Sequence, residues 1–364
     1  MTSTPHTCTQ CLLHDQLEGV QINDKGICNH CADYKHFTPV GESHLIQILE
    51  KAKRKQKVYD ALVPLSGGKD STYVLYLARQ RYQLNVLTYT FDNGFMSELA
   101  KSNIEKAVNK TGVDHIWVRH DPQMIHQMYR TTLLKSGEIC GICGVGIERS
   151  MLKLSEAYQI PLILLGHSPT EANSFTSENI YDQARLKAIL RTNKSINEGM
   201  VNRFLIYPNL NFISSYIYTL MGKFGKKINL LYYLPLPSDH EIGVLLKQEM
   251  DWSEPQDSQY TRHFDCHAEP LTNYVRQHRF GAARRLPQLS NMIRNKEISR
   301  EEALKIYEQD QAFLQPKNFE KVLSELDLKI EDLEKITQIP QQVFSKEVSQ
   351  TNRIFAIARR WVKK

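Results

Sequence analysis

Short apolar runs alternate with longer stretches of helical spacing through the first half of the chain. Residues 59–65 are short and apolar-rich and predict a buried strand. From Asp70 onward, Tyr73, Val74, Leu77 and Ala78 recur at helical spacing. The same reading predicts strands at 85–91, 115–119 and 161–166. Helices are predicted at 97–111, about 122–136 and about 145–159. This alternation predicts an α/β fold built on a doubly wound parallel sheet, with ligands at the strand C-termini. The loops at those ends are 66–71, 92–94 and 166–174.

Beyond the fourth strand the pattern changes. Residues 199–235 are aromatic and apolar, then punctuated by prolines. They predict a buried helix and a short extended segment, used for core or dimer packing in preference to a membrane-surface role for the KFGKK stretch. From 287 on the pattern is helical, and Ser299 followed by Glu302 reads as a capping box. These shifts divide the chain into a cysteine-bearing module (1–40), an α/β domain (41–250) and a C-terminal acceptor-contacting and helical domain (251–364).

Length and composition agree with that division. A chain of 364 residues suits two or three domains. It is 41% hydrophobic and 24% charged, with no apolar run approaching the ~18 residues that a membrane span needs. The N-terminal residues lack the basic-then-apolar pattern of a secretory signal, so the expected compartment is the cytoplasm. Paired cysteines there point to metal or catalysis more than to disulfides. A net charge of +6 fits an enzyme with phosphorylated or nucleotide ligands, and permits RNA binding without requiring it.

Four of the 7 cysteines are spaced Cys8-x2-Cys11-x16-Cys28-x2-Cys31. Each C-x2-C brings two thiolates within reach of one tetrahedral ion, and the spacer suits a hairpin between the two knuckles. Zinc is the expected occupant, in preference to a redox pair or idle thiols. Four sulfurs close its shell, so the role is to fold a segment that has little apolar material of its own.

Between the first strand and its helix lies Ser66-Gly67-Gly68-Lys69-Asp70-Ser71. Two glycines allow a tight turn and close backbone approach, and the helix N-terminus offers free N–H groups. Ser66 and Ser71 add hydroxyls and Lys69 adds charge, so a pyrophosphate fits. The stretch is not a Walker A loop. With its flanking strand and helix, SGGKDS resembles the PP-loop ATP pyrophosphatases, which show SGGxDS at this point. The resemblance implies cleavage of ATP between the α- and β-phosphates and transfer of AMP to an acceptor oxygen. It makes His167 and Glu171 candidate nucleotide contacts, with Asn173 a weaker one and ordinary loop capping as the alternative for each, and Asp92 and Gly166 join them from the strand-end loops. Magnesium is expected to accompany ATP, with Asp70 as its side-chain partner or alternatively as a helix cap.

One PP-loop family is similar over nearly the full length, the N-acetyl sugar amidotransferases of surface-polysaccharide synthesis. The likeness rests on the four cysteines, on SGGKDS and on the stretch 251–304. There Trp252, Phe264, Arg279-Phe280-Gly281, Arg284-Arg285, Leu289-Ser290, Ile293 and Arg300-Glu301-Glu302-Ala303-Leu304 match its pattern. That resemblance implies ammonia from a glutaminase partner.

The stretch GEICGICGVGIERS departs from this family. Its C-x2-C pair, Cys140 and Cys143, resembles that of the tRNA thiolases, as does a distant third cysteine, here Cys266. The thiolase resemblance implies a 4Fe-4S cluster on three thiolates with one iron open to hydrosulfide. A redox disulfide, a second zinc site with His263 or His267, persulfide-carrying thiols and inert buried cysteines are the alternatives.

Two activities follow. One is adenylation of a carbonyl oxygen and its replacement by sulfur, with Lys69, Asp70, Cys140, Cys143 and Cys266 as the catalytic group. The acceptor is a nucleobase-like lactam or small amide, in preference to tRNA, and a cysteine desulfurase is a fitting donor. The other is transfer of ammonia to an N-acetyl sugar. A pure binding module using the zinc knuckle is the third reading. The segment RQHRFGAARR carries Arg276, Arg279, Arg284 and Arg285, and reads either as an acceptor-binding patch or as a solvated helical face.

Overall fold

The computed structural model describes residues 5–169, 178–205, 217–218, 221–255 and 264–349. Its centre is one five-stranded sheet, β1 (Ala61–Pro64), β2 (Val86–Phe91), β3 (Asp114–Val118), β4 (Leu162–Leu165) and β5 (Lys226–Asn229). The strand order is β3-β2-β1-β4-β5 and every pairing is parallel. Successive residues of β1 serve opposite faces, as strand geometry requires. Ala61 and Val63 join the core under helices Glu42–Lys53, Lys69–Tyr76, Glu98–Thr111 and Asp239–Glu249. Leu62 joins Met151 of helix Cys140–Ala157 on the other face. Helices on both sides explain why β2 is buried at all six positions.

The chain leaves β1 toward β2 on one side and returns to β4 on the other. The crevice between the C-terminal ends of β1 and β4 is therefore a topological switch point, where this class of fold binds ligands. Both SGGKDS and Gly166-His167 lie there.

The structure departs from the sequence reading at two places in the core. The extended segment expected within 199–235 is a full sheet member, β5. It holds only four residues, KKIN, and buries only Ile228, so it carries no periodic signal. Helix Cys140–Ala157 begins five residues before the expected start at about 145, so Cys140 and Cys143 form its first turn. Glycines hide this turn, because they lower helix propensity. They are there for close packing. A Cβ at Gly141, Gly144 or Gly146 would lie 2.2 Å from the Ile180 carbonyl oxygen, 2.4 Å from the Tyr181 ring or 2.3 Å from the Phe91 ring.

The C-terminal region is helical, with Glu269–Phe280, Arg285–Arg294, Arg300–Phe313, Glu320–Glu325 and Ile330–Thr337. The expected capping box at Ser299 and Glu302 is present. The N-terminal cysteine module docks on this region, with Leu12, Leu13 and Leu17 packing among Leu286, Leu289 and Ile306. The Leu12 amide donates to Ser290 Oγ at 3.3 Å, and Arg300 Nε donates to the Cys11 carbonyl at 3.2 Å. Much of the matched 279–304 stretch is therefore a landing surface for the module.

The RQHRFGAARR segment is neither a ligand-facing patch nor a solvated face at three of its four arginines. Arg276, Arg279 and Arg285 are buried and paired with Glu138, Glu178 and Asp310.

Candidate active site

The SGGKDS loop is shaped by contacts on its outer side. Gly67 has φ +80°, and a Cβ there would lie 2.3 Å from the Ala100 carbonyl oxygen, so only glycine fits. The Gly67 carbonyl accepts from Trp252 Nε1 at 3.0 Å and from Asn103 Nδ2 at 3.2 Å. Within the loop, Ser71 Oγ accepts from the Ser66 amide at 3.1 Å, and Thr72 Oγ1 donates to the Gly68 carbonyl at 2.9 Å. The N-cap residue of helix Lys69–Tyr76, Gly68, offers no side-chain cap to the first amides of the helix.

Lys69 is nearly buried between two carboxylates, Asp70 at 2.5 Å and Asp239 at 2.6 Å. Burial works against its charge, but the two carboxylates outweigh it and push its pKa up. Asp239 opens helix Asp239–Glu249 from a capping box at Ser238. Asp92, at the end of β2, is held by the Gly94 amide at 3.1 Å and by Arg119 Nε at 2.9 Å. Gly166 lies tight against Asp70, where a Cβ would be 3.1 Å from its carbonyl oxygen, and His167 beyond it is exposed. Glu171, Asn173 and His263 lie outside the described residues.

Cys140, Cys143 and Cys266 come from distant parts of the chain. The segment 265–267 pairs antiparallel with 95–97, just after β2, through a bridge between Met96 and Cys266. The Ser97 amide donates to the Asp265 carbonyl at 3.1 Å, and the His267 amide to the Phe95 carbonyl at 2.8 Å. This pairing puts Cys266 3.9 Å from Asn93 Nδ2, and Asn93 also works against the burial that raises the Cys143 pKa. Tyr129 Oη lies 3.0 Å from Cys143 Sγ. Asp265 is close to the SGGKDS loop, since a Cβ on Gly68 would lie 3.8 Å from its Oδ2.

Burial pushes the Cys140 thiol up to about 12, with Glu138 adding to it, and the Cys143 thiol up to about 11. Burial also pushes Cys266 well up. As free thiols all three are protonated at neutral pH. His267, a possible zinc ligand in the sequence reading, turns its Nε2 to Glu325 at 3.2 Å.

The turn that carries Cys140 is anchored by Glu138. Its Oε1 accepts from the amides of Ile139 at 3.0 Å and Cys140 at 2.9 Å, and its Oε2 accepts from Arg276 Nε at 3.0 Å. Burial alone would raise the Glu138 pKa, but the Arg276 guanidinium outweighs it and holds the carboxyl down at about 2.

The four N-terminal sulfurs all lie within 4.8 Å of one another. A tetrahedron with Zn–S bonds of about 2.3 Å has edges of about 3.8 Å. Cys11–Cys28 and Cys8–Cys31 are 3.7 and 3.9 Å apart, so the donor set fits zinc. The amides of Gln10 and Cys28 donate to Cys8 Sγ, an outer hydrogen-bond shell suited to a metal thiolate.

Asn103, Tyr129, Glu138, Asp239 and Asp265 escape sequence reasoning, because each acts through long-range contacts and none sits in a recognisable spacing; Asn93 lies in the flagged 92–94 loop, but nothing in the sequence assigns it a cysteine partner. Trp252 stands in the 251–304 pattern, but that pattern alone assigns it no contact.

Comparison with known proteins bears on both halves. Residues 60–143 match the family model described as queuosine biosynthesis protein QueC. Residues 257–355 match the C-terminal domain of WbpG-like LPS biosynthesis proteins. An uncharacterised Methanocaldococcus jannaschii protein, MJ1599, is 29% identical over 155 residues, or 41% of this chain. The match spans 53% of that relative, about half its length. Among solved structures, the U34-tRNA thiolase NcsA from Methanococcus maripaludis, described with its 4Fe-4S cluster, aligns over 85% of this chain and 88% of its own. Its identity is 16% and its TM-score 0.36. The NH3-dependent NAD synthetase from Campylobacter jejuni aligns over 60% of this chain and 97% of its own, with 16% identity and TM-score 0.29. SGGKDS therefore stands at the switch point of a parallel sheet, within a segment similar to the QueC family, and the chain ends in a segment similar to the C-terminal domain of WbpG-like proteins.

Proposed function

We propose that this protein activates a carbonyl oxygen with ATP and replaces it with sulfur at the Cys140, Cys143 and Cys266 site. The acceptor oxygen attacks the α-phosphate of ATP, the α–β bond breaks, and pyrophosphate leaves. Hydrosulfide then forms a C–S bond at the activated carbon, and AMP departs with the original oxygen. Loss of a proton gives the thiocarbonyl. The fitting acceptor is a small lactam or amide, and the fitting donor is a desulfurase-type system.

The loop amides and hydroxyls of Ser66, Gly68 and Ser71 hold the pyrophosphate portion, with Asp70 beside them as a magnesium partner. Lys69, kept charged by Asp70 and Asp239, stabilises charge that develops on the phosphates. Asp92, Gly166, His167 and Glu171 complete the proposed nucleotide contacts. Zinc on Cys8, Cys11, Cys28 and Cys31 is structural in this reading.

The observation that carries the proposal is the pairing of 265–267 with 95–97, which delivers Cys266 to Asn93 and within electrostatic reach of Cys143 and Cys140. Three half-buried cysteines, two of them with a Tyr129 or Asn93 donor at the sulfur, fit a thiolate-bound cluster whose sulfurs take hydrogen bonds. Such a 4Fe-4S cluster, when bound, supplies an iron for hydrosulfide. The protein's own part is to bring Cys140, Cys143 and Cys266 together next to Asp265, which borders the SGGKDS loop.

A second reading, amidination of an acetamido sugar with ammonia from a glutaminase partner, is favoured by the WbpG-like match at 257–355. Anaerobic purification with an absorption spectrum and iron counting separates the two. Bound iron that is lost in Cys140→Ala and in Cys266→Ala supports sulfur insertion. A colourless protein containing zinc alone returns the amidotransferase to first place.

A further inference from the structure

We infer that Trp252 is a positioning residue for the pyrophosphate cradle, acting through the peptide between Gly67 and Gly68. In a trans peptide the carbonyl and the following N–H point in opposite directions. The Gly67 carbonyl is held on the outer side of the loop by two donors, Trp252 Nε1 at 3.0 Å and Asn103 Nδ2 at 3.2 Å. The Gly68 N–H is thereby turned inward, toward Ser66 Oγ at 3.3 Å. Rotated the other way, this glycine-flanked peptide would present its oxygen to the phosphate oxygens and repel them. Glycine lowers the barrier to that rotation, so the loop needs an external hold.

The hold is itself fixed. The fully buried Asn103 amide donates to the Ser253 carbonyl at 2.8 Å and accepts from the Ser253 amide at 3.0 Å. This locks the backbone next to Trp252. The indole is 3% exposed and packs against Phe264. Helix Asp239–Glu249 links the grip to Lys69, because its first residue, Asp239, binds Lys69 Nζ and Trp252 follows its end. One helix therefore brackets the phosphate loop from both sides. Trp252 lies outside both family-matched segments.

The inference rests on the reading that SGGKDS binds the pyrophosphate of ATP. Calorimetric titration of the full chain with magnesium-ATP, inorganic pyrophosphate and AMP tests it. Trp252→Phe keeps an aromatic ring and removes one hydrogen bond. It is expected to weaken ATP and pyrophosphate binding about fivefold while leaving AMP, which lacks the β- and γ-phosphates, unchanged. ATP and pyrophosphate affinities equal to wild type overturn the inference, and so does an equal weakening of all three ligands. If the wild-type chain binds neither ATP nor pyrophosphate, the ATP reading fails first and the inference with it. A second measurement needs no folded Trp252 variant. The chain has 3 tryptophans, so the Trp252 indole N–H resonance is assignable through Trp117→Phe and Trp361→Phe. It should shift on addition of pyrophosphate and not of AMP; no shift with pyrophosphate overturns the proposal.

Discussion

Glu178 is the sharpest test of how the C-terminal region is fastened to the core. Its side chain is 1% exposed, and the side chains of Arg279 and Arg185 beside it are 0% and 2% exposed. Arg279 Nη2 donates to Glu178 Oε1 at 2.7 Å, and the Gln342 amide donates to the same oxygen at 2.9 Å. The arginines extend the grip, with Arg279 reaching the carbonyls of Ile339 and Pro340 and Arg185 that of Val343. Glu178→Gln keeps the shape and an acceptor oxygen but removes the charge between two buried cations. Breaking a buried pair from one side costs about 3–5 kcal/mol. At a urea slope of ~3 kcal/mol/M this lowers the unfolding midpoint by about 1–2 M. Urea unfolding of the full chain followed by circular dichroism measures it, and limited proteolysis should open first near residues 339–343. A midpoint shift of less than about 0.3 M would refute the argument that this charge holds the region together.

Other outcomes follow from the same structure. Stripping metal from the four-cysteine module, or Cys11→Ser, is expected to lower the melting temperature of the C-terminal helices as well as of the module, because the two share one apolar cluster; zinc release measured with a colorimetric chelator should parallel the loss of helical signal. Burial lowers the His115 pKa to about 4. The stability that neutral His115 contributes is complete above about pH 6.5 and is lost as pH falls toward 4. Discounted for the ring's partial exposure, its size is on the order of 1–2 kcal/mol. Unfolding midpoints of His115→Gln and wild type should therefore converge as the pH is lowered across that window.

The parts of the fold that announce themselves are those whose information is local. The first four strands, the SGGKDS junction and the Ser299 capping box each occupy a few consecutive residues with a spacing that only one geometry satisfies. The four N-terminal cysteines are legible for the same reason. What escapes is non-local. β5 is four residues long and takes its identity from β4. The first turn of helix Cys140–Ala157 looks like a loop because three glycines sit where Ile180, Tyr181 and Phe91 press in. The arginines of RQHRFGAARR look solvated until their buried carboxylate partners are known. At the candidate site, the cysteines are visible as residues, but their meeting depends on an antiparallel pairing between 95–97 and 265–267. No spacing rule reaches that far.

The docking of the cysteine module has a consequence for how the protein is made. Leu12 and its partner Ser290 are 278 residues apart. At ribosomal rates of roughly 5–20 residues per second, the landing surface is synthesised roughly 14–56 s after the module. During that interval Leu12, Leu13 and Leu17 have no completed apolar surface to cover them. Early metal capture by the four cysteines would hold the nascent module in shape until its partner emerges. Ion supply would then set the yield of folded chains as well as their stability.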